Sequence, residues 1–461
     1  MALTKVTYAM IEGAVINPND YGSLADAITA AIAQNNVVGL LADTTVRVPT
    51  DAATLQIAFD RIAPLSAQTQ IDVVIQTGHQ PASGVSVENG DYSQWKISSI
   101  DAEVTLASSF TGVNFIYGSN AIMPTLNCLV NANTKCDNGY YADKGSSGVV
   151  SANCGVKYVK QTGLYADNGS KVAARSSIFT YASQGVGATA SGILAWGSQI
   201  DAQESVVSNS GYYGAQAAAA GTLNFRQGTA NNCVRHGVRA TNGGLVNARS
   251  ASAQNCLTTG FRVFDGSVMH AQYANATGSD VGFWSEHAAS LNARESIATN
   301  CRIGYYANEA ATINCGTSVA NNCTDNVIAA SNGGRVNGDN LVGNSVNARA
   351  VSANYGAFIN VSLSNISCTA NIGNLGATLT AQNASEIVAT DGTFSSTNTS
   401  VVTATDGSRV SIQQSTVTWA VGSDAVTYLN GSLVTVSNTG ITSADIFGDL
   451  NTLYSRGIVF G

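Results

Sequence analysis

The chain has 461 residues, 44% of them hydrophobic and only 11% charged, with 46 glycines and five prolines; ordinary globular chains are about 25% charged. That balance excludes a disordered acidic chain, a proline-rich linker and collagen. The formal net charge is −8 and the 21 basic residues are scattered singly, which argues against nucleic acid or anionic membrane as a partner.

In chain order, Met1 to Glu12 lacks a basic segment followed by an apolar stretch and a small-residue cleavage site. The chain is therefore expected to be made in the cytoplasm without a signal peptide. No apolar run is long enough to insert in a bilayer. Residues 1–50 read as a head segment with an amphipathic helix over 24–33. Residues 51–120 begin with a second helix over 52–63, with Thr50 and Asp51 as cap candidates and Pro64 as its stop. Strands follow over 71–76, 84–88 and 95–100. A helix placed there covers an open first strand edge, which otherwise invites aggregation.

From 121 to 440 a phrase recurs: GYYADKGS at 139–146, GLYADNGS at 163–170, GFRVFDGS at 260–267, GFWSEHAA at 282–289 and GYYANEAA at 304–311. Taking the turn residue as index gives Gly145, Gly169, Gly197, Gly221, Gly243, Gly266, Ala288, Ala310, Gly333, Gly356, Ala384, Gly407 and Gly431, at intervals of 22 to 28 residues. Between them short apolar pairs alternate with small polar residues, the pattern of strands of two to five residues. The unit is too short for two helices and lacks a leucine-rich pattern, which leaves a parallel β-helix with rungs about 4.8 Å apart. The two 28-residue intervals, after Gly169 and Gly356, are expected to bulge as loops. Cys233, Cys256, Cys301 and Cys323 share a column with Ser279, each cysteine preceded by an asparagine. An inward stack of reduced thiols beside an asparagine ladder accounts for both. Residues 441–461 leave room only for a short C-terminal cap.

LTKVTYAMIEGA at 3–14 and NPNDYGS at 17–23 resemble the opening of bacteriophage tailspike and tail-fibre proteins. The family's usual Gly-Asp-Gly continuation is replaced here by a helix. The resemblance implies an all-β chain, a right-handed single-stranded parallel β-helix behind a small helical or mixed head. It further implies a homotrimer in the virion tail that contacts other tail or baseplate proteins through its N-terminus. The partner it implies is host surface polysaccharide (capsule, O-antigen or exopolysaccharide), often cleaved during adsorption. No cofactor is expected.

The densest ionisable cluster lies just before the turn, where successive rungs read Asn242, Asp265, His287, Glu309 and Asn332, with Glu286 beside His287. Asp265 and Glu309 are two rungs apart, about 9 to 10 Å, close to the span of about 6.5 to 9.5 Å that inverting glycosidases use. Asp265, Glu286, His287 and Glu309 are thus the candidate catalytic residues for a depolymerase, with hydrolysis favoured over lysis. The alternative is a solvated turn edge. A second column, Arg226, Arg249 and Arg294 with Tyr273, offers planar donors and a stacking face for glycan; equally, it could be a solubilising or trimer-packing stripe. In each aromatic doublet after the repeat glycine one ring must face outward, which nominates Trp284 and Tyr306 for sugar stacking. His79, His236 and His270 stand alone, with no spacing that suggests a metal. Two other classes remain: a secreted lyase of the pectate-lyase type with Arg249 or Arg294 as base, and a fibre with no glycan activity.

Overall fold

The computed structural model describes residues 43–62, 70–182, 190–345, 349–369, 377–397, 400–419 and 424–441, with short strand pieces at 11–12, 39–40, 66–67, 446–448 and 458–460. Contacts divide the chain into two compact units, Met1–Gly211 and Tyr212–Gly461. Each is a parallel β-solenoid.

In the first unit parallel pairing begins at Thr44–Val48, which pairs with Ile71–Ile75 and through it with Trp95–Ser99. The coil therefore starts inside the segment 1–50 that the sequence assigns to a head. The helix is Leu55–Ile62, and its N-cap is Thr54, whose hydroxyl accepts from the Ile57 amide. Asp51, one of the two expected caps, instead accepts from the Arg47 amide. Leu55, Ala58 and Phe59 are buried, with Phe59 stacked on Trp95. Gln56 pairs with Ser86 in both directions, its amide donating to the carbonyl and its oxygen accepting from the amide. One side chain thus occupies the free edge of strand Val85–Glu88 as a further strand would, which protects it from intermolecular pairing. The helix expected over 24–33 lies outside the described residues.

In the second unit each coil has three corners. Taking one as an example, strand Thr259–Val263 is followed by a turn at Asp265–Gly266, strand Val268–His270, a turn at Tyr273 and a single bridge at Asn275. A turn at Gly278 then leads to Val281–Ser285. Each strand pairs in parallel with its equivalent one coil away. The corners require left-handed backbone, and the sequence supplies it. Twelve of the thirteen indexed turn residues have positive φ; at Gly221 the job passes to Ala219 and Ala220. The residue before is commonly Asn or Asp, the side chains that tolerate this region best.

The core is a set of columns. Phe261, Phe283 and Tyr305 stack at 5.0 and 5.2 Å, almost parallel. Cys233, Cys256, Cys301 and Cys323 are buried, reduced thiols beside buried Ser279, and burial pushes the Cys301 and Cys323 thiols up to about 12. Asn322 donates to Asn300 one coil away, a rung of the expected ladder. Within the segment expected as a C-terminal cap, Ile446–Gly448 and Ile458–Phe460 pair in parallel with the preceding coil. The extra residues of the two long intervals include 183–189 and 370–376, outside the described residues.

Candidate functional site on the outward face of the long-strand sheet

The site is built by a glycine. At the second residue of the long strand a Cβ on Gly260 would lie 2.7 Å from the Ala276 Cβ and 2.9 Å from the Ala253 carbonyl oxygen. With those neighbours Gly260 leaves no room for a side chain, whereas Val327 fills the equivalent place three coils on. Strand partners on either side of it stay in step while the glycine itself is skipped. As a result the first and fourth residues of each strand share the outward face, opposite the Phe261–Phe283–Tyr305 stack. One column reads His236, Thr259, Val281, Ile303 and Asn326, and the other Arg239, Arg262, Trp284, Tyr306 and Ala329. Val281, Ile303 and Ala329 form an apolar patch on which Trp284 and Tyr306 lie half-buried, ring centroids 5.6 Å apart.

Glu286 belongs to this face and not to the turn cluster. Its amide closes the strand on the Val263 carbonyl, and its carboxylate accepts from Arg262 Nε at 3.1 Å and from a second guanidinium nitrogen. His287, in left-handed backbone at φ 51°, turns the other way. Arg262 also lies 4.5 Å over the Trp284 ring and donates toward His236 Nε2 at 2.9 Å. Since guanidinium has no acceptor, that nitrogen is unprotonated and the ring proton sits on Nδ1. The assignment agrees with the low His236 pKa, set first by burial and then by Arg262, Arg239 and Arg235. His236, isolated in sequence, is thus fully buried at the base of an arginine cluster. Arg239 packs 4.4 Å over Tyr213 and 4.5 Å over Phe264, and burial lowers its pKa. Tyr213 itself stacks on His236 and is buried.

The structure does bring Asp265, His287 and Glu309 together on the turn edge. His287 Nδ1 is 3.2 Å from Asp265 and Nε2 contacts Glu309. All three are about half exposed. The imidazole fills the gap in which an inverting hydrolase places its water, so the column is a hydrogen-bonded ladder in this conformation. A neutral ring donates to one carboxylate at a time, a protonated one to both.

Arg226, Arg249, Arg294 and Tyr273 lie at another corner, after the three-residue strands, and are exposed. Arg249 donates to Gln272 at 2.9 Å, and Tyr273 is 58% exposed at φ 60°. They border the short-strand sheet, where Arg249 shares a shallow recess with Asn247 and His270. Sequence reasoning therefore joins two separate surfaces, and misses Arg239 and His236. Their signal was present: the skipped glycine puts residues three apart on one face. In the first unit the fourth strand position carries Tyr141 and Tyr165, stacked at 4.6 Å, with Tyr117 in register.

No curated protein matches the chain. A family described as "Right handed beta helix region" matches residues 144–302, the stretch that contains His236, Arg262, Glu286 and Trp284. The fold is accordingly a right-handed parallel β-helix, typical of proteins that bind or degrade polysaccharide.

Proposed function

We propose that this chain is a bacteriophage tailspike or tail-fibre protein that recognises host cell-surface polysaccharide along the outward face of its long-strand sheet. The observation that carries the binding part is the Trp284–Tyr306 pair on the apolar patch, beside Glu286 on the rung of Trp284 and its partner Arg262 on the rung before. Half-buried rings over an apolar floor accept the C–H face of a sugar, and fixed polar groups beside them orient its hydroxyls. The repeating rungs suit a repeating polymer. The phage assignment is supported by residues 3–14 and 17–23, and carries with it a homotrimer, a place in the virion tail and attachment through the N-terminus.

Binding is favoured over cleavage, because the imidazole of His287 occupies the space between Asp265 and Glu309. The test incubates the pure chain with capsule and lipopolysaccharide from a susceptible host. Retention of polymer without fragments is expected. The double variant Trp284→Ala, Tyr306→Ala should lose retention at least tenfold, as for truncated interface anchors worth 2 kcal/mol or more, roughly 30-fold. Undiminished retention by that variant would overturn the reading of this face. Fragments abolished by Asp265→Asn with Glu309→Gln would instead make the turn edge a hydrolase site.

A further inference from the structure

We propose that the Arg239 end of this face is a binding site for the carboxylate of an acidic sugar residue, a narrowing that rests on the face being a glycan platform. The charged groups around it are few. Arg235 donates to the hydroxyls of Tyr212 and Tyr213, and Arg262 is engaged by Glu286 and His236. Asp265 acts on Arg239 only at longer range, since its two oxygens face His287 and the Thr241 hydroxyl. Among the described residues no carboxylate forms an ion pair with Arg239, and its buried Nε has no hydrogen-bond partner.

The neighbours share this condition. His236 Nδ1, Thr259 Oγ1 and Trp284 Nε1 are also buried without a partner, and all four atoms belong to three successive rungs of one face. At least three are N–H donors. Leaving a buried donor unmatched costs about 1–3 kcal/mol, more for a charged group, and native proteins keep few of them. Water can match an N–H but not the surplus positive charge of three arginines against one paired carboxylate. An anion does both. A planar two-oxygen group fits the guanidinium fork, and Arg239 and Arg262 are register partners on adjacent rungs, about 4.8 Å apart. The next two rungs in that column are Trp284 and Tyr306. A sugar carboxylate held by Arg239 therefore leaves the following residues of its chain over the two rings.

The test follows thermal unfolding of the whole chain at fixed ionic strength, in sodium glucuronate against methyl glucoside with sodium chloride and against sodium sulfate. Glucuronate at about ten times its Kd is expected to raise the midpoint by about 2 °C over both references. Arg239→Gln should abolish the shift and Arg249→Gln, at the other corner, should keep it. If Arg239→Gln does not fold, Arg239→Lys retains the charge without the fork and should lose most of the shift. No shift in the wild type, an equal shift in sulfate, or a shift that survives loss of the Arg239 guanidinium overturns the site. Retention of neutral polymer without a glucuronate response would remove the acid site and keep the glycan platform. A glucuronate response without polymer retention would do the reverse.

Discussion

Phe283→Ala is expected to lower the stability of the second unit by about 3–5 kcal/mol, the range for deleting a buried ring from a core. Phe283 is fully buried and sandwiched between Phe261 and Tyr305, both nearly parallel to it. Its ring is held between two neighbouring rings at 5.0 and 5.2 Å, so coils above and below have little freedom to collapse into the gap. Each coil touches only its neighbours. The damage should therefore be read locally, as faster amide exchange in strands Thr259–Val263 and Ile303–Asn308, together with a lower urea midpoint. Tyr273→Ala, in an exposed ring, is the control and should change stability by no more than about 0.5 kcal/mol. Equal effects of the two variants would show that the aromatic stack does not hold the coils in register.

Glu286→Ala is expected to cost about 3 kcal/mol, the lower end of the range for breaking a buried ion pair. The side chains of Glu286 and Arg262 are 8% and 19% exposed, so solvent screens the survivor only weakly. The loss comes from what is left behind: Arg262 without its carboxylate, next to Arg239 which has none. Replacing both partners, as in Arg262→Leu with Glu286→Leu, removes the stranded charge and should recover most of the stability. A double variant as unstable as Glu286→Ala would mean that packing of the Arg262 guanidinium on Trp284 and Phe264, and not the stranded charge, sets the cost. Urea unfolding of the two variants beside the wild type decides between them.

Much of this was legible in the residues themselves. The spacing of Gly145 through Gly431 gave the turns because left-handed corners select Gly, Asn and Asp, and the column Cys233, Cys256, Cys301, Cys323 marked an inward position because stacked rungs repeat their environments. The doublets at Trp284 and Tyr306 showed which ring faces out. The floor of the site was harder to see. Strict alternation puts His236 and Arg239 on opposite faces, and only the close approach at the strand glycine returns them to one. Glu286 and His287 are neighbours in sequence and part company because left-handed backbone begins at His287. The N-cap fell at Thr54, three residues past the nearer expected candidate, because Asp51 is held by the preceding strand's Arg47 amide. The composition, finally, acquires a use: in a chain with so few charges, three arginines at one end of one sheet face are a concentrated source of positive charge.

We propose the long-strand sheet of the second unit as the glycan surface. Hydroxyl-radical footprinting with and without polysaccharide from a susceptible host reads out which rings the polymer covers. Protection of Trp284 and Tyr306, with Tyr273 oxidised equally in both samples, is the predicted result. Protection of Tyr273 with Trp284 and Tyr306 unchanged would place the glycan on the arginine stripe of Arg226, Arg249 and Arg294 and rule out the long-strand face.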